Sequence, residues 1–226
     1  MVVILGILFL VSQVSAQEKS VLKNQKEKIS YIIGMDIGNN LKRQSVDVDP
    51  NSLAKGVQDA LSGANPLLSK EEVQETMVAF QKEMGEKQKQ RGEAFLSENK
   101  KKEGVKTLPS GLQYKVVKAG TGKKPRLNDT VTVNYRGTLI DGTEFDSSSR
   151  RGQPATFLVS GVIPGWTEAM QLMAEGAKWE LFIPPNLAYG ERGAGGLIGP
   201  NATLIFEVEL ISVQENKEEK KQENKK

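Results

Sequence analysis

The chain has 226 residues, a formal net charge of +3, and neither histidine nor cysteine. That composition excludes Ser-His-Asp and Cys-His catalysis, imidazole acid–base work, a disulfide framework, and zinc, haem or iron–sulfur ligation by the usual side chains, so no metal or other cofactor is expected. The basic residues are mixed with Glu rather than gathered on one face, which points away from a nucleic-acid partner.

The chain opens with MVVILGILFLVSQVSA, an apolar stretch without charge. Its unbroken apolar run is too short to cross a bilayer as a helix. It suits the apolar region of a signal peptide spanning 1–16, with the small residues Ser15 and Ala16 before a cut at Gln17, although no Lys or Arg precedes it. Export is therefore expected, to a bacterial periplasm or an outer-membrane-associated site.

Residues 20–103 read as helical. Ile29, Ile32, Ile33, Ile37 and Leu41 recur at helical spacing, and Gly34 and Gly38 lie four apart, where paired glycines let another helix approach closely. Asp49-Pro50 supplies an N-cap and a first-turn proline for a second helix striped by Leu53, Val57 and Leu61 and ended at Ser62-Gly63. Ser69 and Glu72 form a capping box that opens a third. Val73, Met77, Phe80 and Met84 continue its stripe, which then fades into a charged stretch with Glu83–Lys87 and Glu98–Lys102 at favourable i,i+4 spacing. Carried through Lys102, this helix reads as a solvated stalk roughly 50 Å long. Its striped partners are best buried against a second copy, so a homodimer is expected, with residues 17–85 as dimerisation region and 86–106 as stalk.

From Thr107 the period changes to two. Leu112, Tyr114 and Val116 alternate, as do Val131, Val133 and Tyr135, and later Leu204, Phe206, Val208 and Leu210. Asp141-Gly142 marks a hairpin, and Pro164-Gly165-Trp166 opens a short helix through Met173. An α+β domain over 107–213 follows, an antiparallel sheet with one short helix packed on it. The tail 214–226 has nothing to bury and is expected to be disordered. Aromatic residues make up only 6% of the chain, yet Tyr135, Phe145, Phe157, Trp166, Trp179, Tyr189 and Phe206 share this segment, mostly beside glycines, turns or strand ends. That pattern predicts an aromatic-lined hollow with a few polar groups at its rim.

The motifs VTVNYRG, DGTEFDSSSRRGQP, VIPGW and AYGERGAGGLIGPNATLIFEVEL stand in this order across 107–213. Together they closely resemble the FKBP-type peptidyl-prolyl cis-trans isomerases. The N-terminal ISYIIGMDIGNNLKRQ and the long charged helix resemble the macrophage-infectivity-potentiator-like branch, whose members are exported and dimerise through the helical part. The resemblance implies an FKBP-like sheet wrapped on the short helix and a non-covalent isomerase acting on X–Pro bonds of exported, folding polypeptides. It also implies macrolide inhibitors of the tacrolimus type as possible ligands. A dimeric holdase, with isomerisation secondary, is the alternative; an adhesin role finds no support in the residues.

The resemblance carries Asp146, Tyr189 and Trp166 over as catalytic and Tyr135, Phe145, Arg151, Val162, Ile163, Ile198 and Phe206 as substrate-binding. Trp166 is expected as the floor under the proline ring, with Tyr135, Phe145 and Phe206 as walls. The Ile163 N–H and the Tyr189 hydroxyl would each bind a substrate carbonyl. Asp146 would set the local field and pair with Arg151. The loop 190–200 is expected to form a flap. Two family positions are altered: an aromatic is replaced by Ala155, which would thin one wall, and a histidine by Ala194.

Overall fold

The computed structural model describes residues 22–44 and 46–216. The expected signal segment and tail residues 217–226 lie outside the described residues. The chain divides into two compact units, Met1–Leu53 and Ala54–Lys226.

Helix α1, Gln25–Arg43, makes up most of the described part of the first unit. The Asn24 side chain accepts from the Glu27 N–H at 3.0 Å, and the Glu27 carboxylate accepts from the Lys23 N–H at 2.6 Å, so the helix start is capped from both directions. No α1 residue is buried. A Cβ placed on Gly34 or Gly38 would meet nothing within 4 Å. Helix α2, Pro50–Ser62, opens with Pro50 in the first turn and Asp49 accepting from the Ser52 N–H at 2.7 Å; it too has no buried residue.

Helix α3, Lys70–Asn99, lies wholly in the second unit. Ser69 and Glu72 form the capping box, with bonds of 3.1 and 2.8 Å. The Ser69 hydrogen bonds hold the Glu72 carboxyl below its ordinary pKa. The helix ends three residues before Lys102, and Glu98 pairs with Lys101 at 2.7 Å instead of with Lys102. Its second half is not a solvated stalk. Gly85, Gly92 and Asn99 are buried. A Cβ on Gly92 would stand 2.3 Å from Thr203 Oγ1, so only glycine permits this approach. Asn99 donates to the Gln113 side chain at 3.0 Å, Gln113 donates back to the Leu96 carbonyl at 2.9 Å, and Phe95 lies 6.0 Å from Phe182. Small residues at seven-residue spacing thus bring the α3 backbone onto the domain that follows.

That domain contains strands β1 (Val105–Thr107), β2 (Gln113–Lys118), β3 (Thr130–Leu139), β4 (Glu144–Ser147) and β5 (Ala155–Leu158), helix α4 (Pro164–Leu172), then β6 (Lys178–Ile183) and β7 (Leu204–Gln214). The sheet is antiparallel, ordered β1-β2-β6-β7-β3-β4, with β5 paired to β3. Strand β1 begins at Val105, inside the segment expected as stalk, and ends at Thr107, the first residue of the expected sheet domain. The Asp141-Gly142 signal holds: the Leu139 N–H donates to Thr143 O at 2.9 Å, and Gly142 takes a φ of 85°.

The expected alternation buries Val131, Val133 and Tyr135 on β3 and Leu204, Phe206, Val208 and Leu210 on β7. The register shifts opposite Thr132 and Val133, leaving Ile211 as an extra residue on β7; Ile211 is exposed and Val213 returns to the core. Helix α4 contributes Trp166, Ala169 and Met170 to the same core. It beds on β6 at Gly165, where a Cβ would stand 2.6 Å from Ile183 Cγ2. The first residues of the expected tail are held: Gln214 closes β7, Lys123 pairs with Glu215 at 3.0 Å, and the Asn216 N–H donates to Asp129 at 3.0 Å.

Candidate active site

A cavity of about 730 Å³ opens in this domain. Every one of the ten residues expected at the site lines it. Strand β3 supplies Tyr135, and β4 supplies Phe145 and Asp146. Arg151 ends the 3-10 turn after β4; Val162 and Ile163 lead into α4, which carries Trp166. Tyr189 and Ile198 come from the segment between β6 and β7, and Phe206 from β7.

The floor is a nest of rings. Trp166 meets Tyr135 at 5.4 Å, Phe157 at 5.8 Å and Phe206 at 5.2 Å between ring centroids, each nearly edge-on. Phe145 meets Phe206 edge-on at 5.4 Å. Such edge contacts place the positive rim of one ring against the negative face of the next. Gly137 on β3 makes room for this cluster, since a Cβ there would fall 2.6 Å from the Phe145 ring and 2.7 Å from Phe206. Trp166 is buried, and its Nε1 has no hydrogen-bond partner among the described residues.

The polar part of the wall is a chain of three groups. The Tyr135 hydroxyl donates to Asp146 Oδ2 at 2.6 Å. Arg151 Nη2 donates to both carboxylate oxygens of Asp146, at 3.1 and 3.3 Å. Burial, then the bond to Asp146, pushes the Tyr135 hydroxyl up to about 12, so it remains a donor across the physiological range. Sequence reasoning placed Tyr135 as a wall and missed this polar role. Gly137, two residues beyond Tyr135 on β3, pairs with Asp146 across β3 and β4 and so brings the two groups together, a pairing that alternation along either strand does not reveal.

Ile163 is the N-cap of α4, in extended conformation before Pro164. Its N–H precedes the helical ladder and is not consumed by it. Tyr189 is 41% exposed, a rim position. The loop expected as a flap lies against the cavity, which Gly195, Gly196 and Leu197 line together with Ile198. The Ala194 N–H donates to Ile198 O at 2.9 Å, folding the loop back on itself, and Asn201 closes its base by donating to Gly190 O at 2.8 Å. Phe157 was counted among the aromatics of this segment but not as a site residue, and it lines the cavity. Trp179 does not; it stacks on Tyr114, with centroids 4.4 Å apart. The altered positions Ala155 and Ala194 are not among the lining residues.

The model of the FKBP-type peptidyl-prolyl cis-trans isomerase matches residues 121–211, and that of the domain amino-terminal to it matches residues 26–116. The outer membrane protein MIP of Legionella longbeachae is 53% identical over 211 residues, covering 88% of this chain and 91% of that protein. The chain belongs to the FKBP-type peptidyl-prolyl cis-trans isomerases. The peptidyl-prolyl cis-trans isomerase Mip of Coxiella burnetii is 46% identical over 88% of this chain and 92% of its own length. Among solved structures, FkpA from Escherichia coli superposes with a TM-score of 0.59 at 41% identity, covering 86% of this chain and 99% of that one. The FKBP-type assignment carries the activity: this chain isomerises prolyl peptide bonds.

Proposed function

We propose that the ring-floored cavity is the prolyl site and that it works without covalent chemistry. An X–Pro bond resists rotation by about 18–20 kcal/mol, much of it lost amide resonance. The planar imide is more dipolar and better hydrated than the twisted one. A dry apolar cup therefore favours the twisted form relative to the ground state, which is preferential binding of the transition state. Trp166 lies beneath the proline ring, with Tyr135, Phe145 and Phe206 around it. The Ile163 N–H and the Tyr189 hydroxyl hold substrate carbonyls. Asp146, fixed between the Tyr135 hydroxyl and Arg151, sets the field beside the carbonyl that rotates.

The observation that carries this reading is the convergence of ten separated residues on one cavity with the Tyr135–Asp146–Arg151 chain at its side. Asp146→Ala is the test, read as the rate of a proline-limited refolding reaction. A fall of about tenfold is expected, on the scale of one charge-assisted hydrogen bond; an unchanged rate would remove Asp146 from the mechanism. Macrolides of the tacrolimus type would compete for the same cavity.

The exposed apolar face of α1 supports the homodimer. Ile29, Ile32 and Ile33 are each about half exposed or more in the single chain, and a helix with such a stripe is stable only when something covers it. The relative from Legionella longbeachae is named an outer membrane protein. With the apolar N-terminal stretch, this favours export, with clients among polypeptides folding outside the cytoplasm. No helix among the described residues is long and apolar enough to cross a membrane.

A further inference from the structure

The prolyl cavity shares Tyr135 alone with a hollow lined by Asn134, Arg136 and Glu207, but shares three residues with a hollow beside α3. The latter, of about 760 Å³, lies between the 190–200 loop and α3, and Gly195, Gly196 and Ile198 line both it and the prolyl cavity. Another, of about 480 Å³, lies along α3 and shares Val78 and Lys82 with the last. The prolyl cavity and the two hollows at α3 thus follow one path, from the proline site over the loop and onto an open groove along the helix surface.

The helix is held to that path. The Asn201 side chain donates to the Gly85 carbonyl at 3.2 Å, and a Cβ on Gly85 would stand 3.2 Å from Pro200 Cβ. Asn201 has a φ of 55°, the one positive value outside glycine among the described residues, a conformation that asparagine tolerates better than most. It ties the loop base to α3. Val78 continues the docking row, since Val78, Gly85, Gly92 and Asn99 are spaced by sevens and share one side with a drift of about 20° per step. The difference is that Val78 is 60% exposed. The stripe Val73–Met77–Phe80–Met84 lies roughly a third of a turn or more away at about 100° per residue, so covering it with a second copy leaves the Val78 side open.

We propose that this path holds the stretch of substrate polypeptide next to the isomerised bond. The occupant follows from continuity: a chain that leaves the prolyl cavity across Gly195 and Gly196 directly enters the hollow that shares them. Charges of both signs line that hollow, Lys82 and Arg192 with Glu86 and Glu191, beside the apolar Val78. Such a lining suits an extended segment of mixed composition rather than one charged motif. From Glu86 to Glu71 the helix rises about 22 Å, room for about seven extended residues. The proposal rests on the aromatic cavity being the prolyl site.

The test compares a proline tetrapeptide with the same peptide lengthened by about seven residues at both ends. Exchange rates are measured by NMR on the full chain and on Val78→Asp and Val78→Trp, with circular dichroism confirming that the variants fold. Wild type should turn over both peptides, with kcat/KM about tenfold higher for the longer one. Both variants should lose that advantage and keep the tetrapeptide rate. Equal kcat/KM for the two lengths in wild type would overturn the proposal, as would variants that keep the advantage or lose both rates together. Failure of wild type on the tetrapeptide would instead overturn the reading of the prolyl cavity.

Discussion

The isomerase domain and helix α1 use the same kind of residue in opposite ways. Leu181, Ile183 and Leu204 have no exposed surface, whereas Ile32 and Ile33 in α1 are 58% and 53% exposed. In the domain, an antiparallel sheet and α4 close over their own apolar faces. A lone helix has no second layer to close with, so its stripe is information about a partner rather than about its own fold. The family-defining chemistry needs only the first arrangement; the second leaves an apolar face on the surface of the single chain.

The largest expected effect separates the two regions outright. Ile32→Glu with Ile33→Glu should reduce the sedimenting mass from about twice to about once the chain mass of 24.8 kDa, leaving tetrapeptide isomerisation unchanged. Persistence of the larger species would show that α1 is not the seam. The reciprocal change, Trp166→Ala, should cost about 3 kcal/mol of domain stability in a denaturant melt and most of the activity, with the dimer retained. Gly137→Ala sharpens the comparison within the domain. Its new methyl would press on the Phe145 and Phe206 rings, costing about 1–3 kcal/mol and lowering kcat/KM without touching the surface. A normal rate would mean that the ring positions are not critical.

The smallest effect appears in alkali. The Tyr135 hydroxyl titrates at about 12 in the folded chain and near 10 when unfolded. Its contribution is therefore complete below pH ~10 and is lost as pH rises towards about 12. Tyr135→Phe should remove that part of the slope in stability against pH; an unaltered alkaline slope would assign it to other groups.

The sheet was readable because alternation over Val131–Tyr135 and Leu204–Leu210 is a direct image of one buried face. The cavity was readable because aromatics beside turns are costly to leave exposed, and the motif order placed them. Docking of α3 was not. It depends on Gly85 and Gly92, which present backbone rather than apolar side chains, so a search for apolar periodicity reads their face as empty. The seven-residue spacing to Asn99 was the trace left in the sequence. The Tyr135–Asp146 bond was hidden for another reason: it joins neighbouring strands across a register that alternation alone does not set.

The chain carries two tryptophans, and they occupy unlike places. Trp166 sits in the cavity floor, its Nε1 without an acceptor among the described residues, while Trp179 lies flat against Tyr114 outside that lining. Ultraviolet emission from this molecule therefore has one source at the cavity floor and one away from it. Trp179→Phe would leave Trp166 as the sole tryptophan reporter, so that a compound entering the cavity should be read from its emission without any attached dye.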